Sequence, residues 1–199
     1  MNIYGASGHG KVIIDIAESI NIPIEQIFDD NKNVSLLNGT PVIHDLDEIF
    51  LDSETIIAIG NNRIRKKVAD SFTGRIADAI IHNSAIISPR SSINKGSVIM
   101  PSACVNSSTV IGKHCIINTA STIDHDCELG DYVHISPNAA IAGNVIIKEG
   151  THIGIGAVVI PGIKIGKWAT VGAGAVIIND IPDYAVVVGN PGKVIKYLN

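Results

Sequence analysis

Residues 111–135 read IGKHCIINTASTIDHDCELGDYVHI, with Ile111, Ile117, Ile123, Leu129 and Ile135 falling every sixth place. The same step runs outward in both directions. It takes in Ile81, Ile87, Ile93, Ile99 and Val105 before the stretch, and Ile141, Ile147, Ile153, Val159, Ile165, Val171 and Ile177 after it. All 17 positions are Ile, Leu or Val, types that make up 61 of 199 residues, so chance does not produce the run. Four places into each hexad the residue is usually small, as at Ala85, Ser91, Ser97, Ala103, Thr109, Cys115, Ser121 and Cys127. Gly, Asn and Asp crowd the position after the aliphatic one. A helix needs a period of 3.6 and a plain strand a period of 2. A period of six means short flat strands joined by tight turns, each presenting one aliphatic side chain inward. Such coils stack at the inter-strand spacing and bury their faces only against their neighbours. The repeat therefore predicts a parallel β-helix.

Composition agrees. Apolar residues are 46% and aromatics 4%, with 38 Ile against 6 Leu, a bias that favours strands over helices. The chain is too apolar to be disordered. Fifteen basic and 19 acidic residues give −4, and no basic tract points to nucleic acid. Cys104, Cys115 and Cys127 are too few and odd in number for a disulfide scaffold. Cys115 and Cys127 fall at small hexad positions and read as packed thiols. The opening MNIYGASGHGK lacks the layout of a signal peptide, and no apolar run nears a membrane span. A cytoplasmic setting without membrane insertion is the expectation.

Before Ile81 the pattern changes. Residues 2–6, 27–30 and 55–60 read as strands, and KVIIDIAESI and NNRIRKKVADSF as helices, the second with a basic face. That is a small alternating α/β unit around a parallel sheet. Gly5-Ala6-Ser7-Gly8-His9-Gly10 links strand to helix, where backbone N–H groups and a helix N-terminus receive phosphate. Its spacing is not GxGxxG. Asp29-Asp30 and Gly60-Asn61-Asn62-Arg63 close the other two strands, at the carboxyl edge where such sheets bind ligands.

An α/β unit followed directly by hexapeptide coils resembles the nucleotide-sugar acetyltransferases of bacterial glycan pathways. The likeness is closest to the UDP-4-amino-sugar N-acetyltransferases of bacillosamine-type synthesis. Sialic-acid-pathway O-acetyltransferases and GDP-perosamine N-acetyltransferases form a sister branch. The matching stretches are YGASGHG at 4–10, FDD at 28–30, AIGNN at 58–62, the 118–144 segment and VGNP at 188–191. The resemblance implies a Rossmann-like nucleotide-sugar-binding domain over 1–80, a left-handed β-helix over 81–182, a tail over 183–199, and a homotrimer. It implies that Ser7, Gly8, His9, Asp29, Asp30, Gly60, Asn61, Arg63 and Asn118 bind the nucleotide sugar. His134, Gly143, Ile155, Ala173, Gly189 and Pro191 fall where the family meets acetyl-CoA. Ala173 and Gly192 stand where relatives often carry Gly and Ala. His125 matches the general base. Asp126 matches a position that is commonly Glu.

The chemistry is attack of a sugar amine on a thioester, with the proton going to a base. Histidine titrates near 6.5 and serves at neutral pH. Asp124-His125-Asp126 offers two carboxylates to orient the ring, and the resemblance favours Asp126. Gly143 lies one coil from His125, so its N–H is in register to meet the thioester oxygen. His134 and His152 are likewise 18 apart and are expected to stack. His44, His82 and His114 read as surface residues, and Trp168 as a packing residue near a groove or interface. The leading reading is an acetyl-CoA-dependent N-acetyltransferase of a nucleotide-linked 4-amino sugar, with uracil and guanine both open. The alternatives are an O-acetyltransferase of a sialic acid or related sugar, a perosamine-type N-acetyltransferase, and a noncatalytic nucleotide-sugar scaffold. The histidines do not show the ligand pattern of zinc hexapeptide enzymes, so no metal is expected.

Overall fold

The computed structural model describes residues 1–46 and 48–198. The first unit contains β1 (Asn2–Tyr4), α1 (Gly8–Ser19), β2 (Ile27–Phe28), β3 (Leu36–Leu37), β4 (Thr40–Ile43), α2 (Glu48–Asp52), β5 (Thr55–Ile57) and α3 (Asn62–Ser71). Its sheet order is β3-β4-β2-β1-β5, parallel except at β3–β4. The three expected strands are adjacent in this sheet, as β2-β1-β5 at one end of the order. The hairpin β3–β4 is an addition, turned by Asn38 and Gly39, both at positive φ. Asn-Gly is the pair that a tight two-residue hairpin requires. Ile3, Ile13, Ile16, Ile27 and Ile56 form a dry core between α1 and the sheet. Tyr4, Phe28, Phe50 and Phe72 pack edge-on across the opposite face.

Seventeen two-residue strands follow, from β6 (Ile80–Ile81) to β22 (Val176–Ile177). They form the three faces of a left-handed prism. Facing residues differ by 18 in the chain, as at Ile116–His134 and His134–His152, so one coil is three hexads. The hexad aliphatics point inward and are essentially dry from Ile99 to Ile177. Ile81, Ile87 and Ile93 are partly open at the first end. Small inward residues carry a second bond between coils. Ser97, Thr109 and Thr151 hydroxyls donate to the carbonyls of Gly112, Asp124 and Gly166. Cys115 and Cys127 thiols approach the carbonyls of Gly130 and Ala142, again fifteen residues on, at 3.1 and 3.2 Å. The thiols take the place of hydroxyls, as packed core residues. β23 (Ala185–Val188) pairs with the last coil, and β24 (Lys193–Tyr197) returns antiparallel beside it.

The first face carries the outward ladder Ile80, Val98, Ile116, His134, His152 and Thr170. The α/β unit covers its lower half, burying Ile80, Val98 and Ile116 against Ile14 and Met100. Helix α3 lies along one edge of this face. There the turn residues His114, Tyr132, Gly150 and Trp168 stand above one another at positive φ. His114 stacks on Tyr132 at 5.3 Å, and Lys66 and Arg63 of α3 sit over Tyr132 and Trp168.

A β-carbon on Gly150 would enter the Trp168 ring, whereas one on Gly162 meets nothing within 4 Å; φ is +70 and +77 respectively. Gly162→Ala should therefore cost about 1 kcal/mol, the left-handed backbone alone. Gly150→Ala should cost at least twice that and weaken the Arg63–Trp168 contact. Denaturant unfolding of both variants at one protein concentration checks this, and equal costs would show that the Trp168 ring moves aside freely.

Candidate active site

Two groups of the sequence-predicted residues gather, in two places, and the rest lie apart from them. The first is the edge where the second face (Ile86, Cys104, Thr122, Ala140, Val158, Val176) meets the third (Ser92, Val110, Glu128, Ile146, Lys164). His125 stands there with its side chain 58% exposed. Its Nδ1 lies 2.8 Å from Asp126 Oδ2. Asp124 is turned away. Its Oδ1 accepts the His125 backbone N–H at 2.8 Å and the Asn106 amide at 2.9 Å. Of the two carboxylates it is Asp126 that orients the ring, and Asp124 that fixes the turn. The Asp126 hydrogen bond, with the Asp124 charge behind it, raises the His125 pKa above its ordinary 6.5. With Nδ1–H donated to Asp126, Nε2 presents a lone pair to solvent. Gly143 lies directly beneath: a β-carbon there would fall 2.7 Å from His125 Cε1 and 2.8 Å from Nε2. The ring can lie flat only because residue 143 has no side chain.

The second place is the cleft between the α/β unit and the upper half of the first face. Gly60, Asn61, Asn62, Arg63, His134, His152, Trp168 and Leu198 are among the residues lining a cavity of about 450 Å³. His134 and His152 stack at 4.6 Å with rings 5° from parallel, as their spacing predicts. Nε2 of His134 lies 3.1 Å from the Asn118 amide nitrogen, whose partner oxygen accepts the Thr119 N–H. The amide therefore donates, His134 Nε2 accepts, and the proton sits on Nδ1. That Nδ1 is buried with only the Gly60 backbone near enough to meet it, and Nε2 of His9 from the Gly-rich loop is buried without a partner among the described residues. Burial, then neighbouring His152 and Arg65, pulls His134 down to about 2. Burial and Arg65 hold His9 at about 4. Both rings are neutral hydrogen-bonding groups at neutral pH.

The carboxyl-edge aspartates divide their work. Asp29 spends both oxygens on backbone N–H groups, Ala6 at 2.6 Å and Asn31 at 2.8 Å. It ties the Gly-rich loop to its neighbour. Asp30 is exposed and accepts only the Tyr4 hydroxyl at 3.1 Å, leaving one oxygen open. Ser7 caps α1 without a side-chain cap bond, so its hydroxyl is unspent beside Gly8. Ile155 and Ala173 lie on the edge between the first and second faces, one coil apart, where Gly174 donates to the Ile155 carbonyl. Gly189 and Pro191 lie in the turn between β23 and β24, over Val176. Gly143 is thus apart from the other residues that resemblance assigns to acetyl-CoA.

Residues 1–72 match the PglD N-terminal domain, and 108–143 and 144–179 match the bacterial transferase hexapeptide (six repeats). The chain is 35% identical to PerB from Caulobacter crescentus, solved with CoA and GDP-perosamine, over 98% of this chain and 96% of that one (TM-score 0.91). It is 39% identical to the acetyltransferase domain of PglB from Neisseria gonorrhoeae, solved with acetyl coenzyme A, over 98% of each chain (TM-score 0.89). WeeI from Acinetobacter baumannii follows at 30%, again over 98% of each (TM-score 0.85). This chain belongs to the hexapeptide-repeat nucleotide-sugar acetyltransferases. Among curated proteins, an uncharacterized protein of Acanthamoeba polyphaga mimivirus is 34% identical over 94 residues, 46% of this chain. The chain spans only 19% of the length of that relative.

On this family framework one reading of the sequence needs correction. His114 is not a surface residue: it is 6% exposed, stacked on Tyr132 and packed against Gly96. Arg65 and Asn62 were hidden in what reads only as a helix with a basic face. Arg65 is 1% exposed. The signal was available in the spacing, since Asn62, Arg65, Ala69 and Phe72 share one helical stripe. Among the described residues no group of three or more His, Cys, Asp or Glu could hold a metal ion, and no helix is long and apolar enough to cross a membrane.

Three histidines are held neutral by burial: His9 and His114 at about 4, His134 at about 2. The unfolded chain takes up protons on them near 6.5 while the folded chain does not, so folding stability falls as pH drops from about 6.5 towards 4. Calorimetric melting from pH 7.5 to 4.5 should show Tm declining through that window. A flat Tm between 7 and 5 would contradict the neutral seam.

Proposed function

We propose that the chain is an acetyl-CoA-dependent N-acetyltransferase acting on the 4-amino group of a nucleotide-activated sugar, working as a homotrimer. The observation that carries the reading is the exposed His125–Asp126 pair with its free Nε2 over Gly143. Nε2 accepts a proton from the amine as its nitrogen attacks the thioester carbonyl. The Gly143 N–H, in register with the ring, receives the developing oxyanion. The C–S bond then breaks, and His125 returns the proton to the departing CoA sulfur. Asp126 holds the tautomer throughout and stabilises the imidazolium.

The cleft supports a polar acceptor. His134 and His152 line it as neutral imidazoles, and His9 Nε2, buried at the start of α1 without a partner among the described residues, is a polar atom that a ligand would satisfy. Ser7, Gly8 and His9 at the start of α1 suit a diphosphate, received by neutral donors and a helix terminus. The open oxygen of Asp30 suits a ring N–H of uracil or guanine, with Asn61 and Arg63 closing over the nucleotide. His134, Ile155, Ala173, Gly189 and Pro191 would line the acetyl-CoA side.

The division of the site supports assembly. His125 stands on the edge opposite the face that holds His134 and the nucleotide cleft. One copy presents the base and a second copy presents the acceptor, which a threefold arrangement satisfies for every site. We place the reaction in the cytoplasm, in synthesis of bacterial surface glycans or glycoproteins. PerB, solved with CoA and GDP-perosamine, makes a GDP-linked amine the first acceptor to set beside a UDP-linked one.

Thiol release from acetyl-CoA should be seen with a UDP- or GDP-linked 4-amino sugar and not with its hydroxyl counterpart. Release only with a free sugar would favour O-acetylation, and nucleotide binding without release would favour a scaffold. His125→Ala should lower turnover by about 10²-fold or more with the assembly intact. Because the His125 pKa is raised, turnover should fall with acid from a midpoint above 6.5, and Asp126→Asn should move that midpoint down. Wild-type turnover in His125→Ala sinks the assignment.

A further inference from the structure

Arg65 is the one buried guanidinium whose purpose the reaction does not explain. Its Nε donates to the His114 carbonyl at 2.8 Å, and Nη2 donates to the Tyr132 carbonyl at 3.0 Å and Asn62 Oδ1 at 2.9 Å. Nη1 donates to the carbonyls of Ile59 at 2.8 Å and Gly60 at 3.1 Å. All five N–H groups are used. Among the described residues no carboxylate pairs with it. Taking a cation out of water without a counter-ion is costly, and carbonyl oxygens are its only compensation. Burial accordingly pulls its pKa down to about 10, still charged at neutral pH.

The five acceptors come from two bodies. His114 and Tyr132 are turns of successive β-helix coils. Ile59 and Gly60 begin the loop that runs into Arg63. Asn62 fastens the same seam, donating to the carbonyls of Gly150 and Thr151, one coil further on. The charge also faces His9, His114, His134 and His152, and opposes protonation of each.

We infer that Arg65 is a positioning residue for nucleotide-sugar binding: its guanidinium fixes the Gly60–Asn61 loop and the first turn of α3 to the β-helix, so that this loop is preset over the cleft before ligand arrives. The inference rests on the nucleotide-sugar reading of that cleft. A preset loop spares the ligand the cost of ordering it. Two carbonyls on each side demand a planar fork, which a lysine ammonium does not supply.

Arg65→Lys keeps the charge, and hence the neutral histidines, while removing the fork. Asn62→Ala releases the second fastening and one of the five Arg65 hydrogen bonds, while the four bonds of Arg65 to backbone carbonyls remain. UDP and GDP, then acetyl-CoA, are titrated calorimetrically into wild type and both variants. The expected result is a nucleotide Kd raised about tenfold or more, the loss of one or two hydrogen bonds, with acetyl-CoA Kd within about twofold of wild type. Unchanged nucleotide Kd in a folded Arg65→Lys overturns the inference. Equal losses for both ligands, together with a lower Tm, overturn it too, since Arg65 would then serve only the fold. If Arg65→Lys does not fold, Asn62→Ala decides by the same criteria. A wild type that binds acetyl-CoA and neither nucleotide overturns the functional reading itself and the positioning role with it, a failure visible without any substitution.

Discussion

The fixed step of eighteen residues between stacked coils is the constraint on which the rest depends. Each coil finds its hydrogen-bond partners in the next only if every turn has the same length. Once that holds, residues eighteen apart become neighbours whatever their chemistry. His134 lies on His152, Gly143 under His125, and His114 on Tyr132 for this reason alone. A site on such a body is written in columns. Removing the side chain at 143 frees the ring at 125, and placing an aromatic at 132 supports the ring at 114. The core obeys the same rule, because a hydroxyl or thiol at an inward small position reaches the carbonyl fifteen residues on. Insertion of one residue in a turn would shift every column above it.

A second constraint joins the two units. The β-helix offers the α/β unit a smooth aliphatic ladder for its lower half, and burial of Ile80, Val98 and Ile116 there is nondirectional. Such a contact does not set an angle. Arg65 and Asn62 add direction, because each N–H has one carbonyl to meet. The cleft above them owes its shape to that angle. Burial keeps a cluster of histidines neutral around the cleft, and the same guanidinium adds to that effect, so Arg65 contributes to both the geometry and the electrostatics of the seam.

Much of this was legible beforehand. The prism follows from the hexad step, and the stacked histidines and the Gly143 contact follow from counting in eighteens. The carboxyl-edge loops follow from the alternation of strands and helices. What stayed hidden depends on which way a side chain turns. RIRKK reads as a basic face, yet Arg65, one of its four cations, is 1% exposed. His114 looks like a turn residue in water because the sequence does not say that α3 will cover that edge. Asp29 and Asp30 look alike as neighbours, but only tertiary contacts show that the first is spent on the backbone. The Asn38-Gly39 hairpin was a local signal, readable from the pair itself.

The histidines of this chain separate into two kinds by environment. His125 is in water beside a carboxylate, so its affinity for protons is raised and its second nitrogen is free. His9 and His134 are dry and face a cation, so their affinity for protons is lowered and they keep fixed donors and acceptors. A base that must take and return a proton needs the first environment. A group that must recognise a polar ligand without charging needs the second. The prism puts these environments on opposite sides of one chain, because water and a covering domain cannot occupy the same face. On the proposed reading, bringing base and acceptor together is a task for two copies, and the separation that tunes the histidines is the reason that reading calls for assembly.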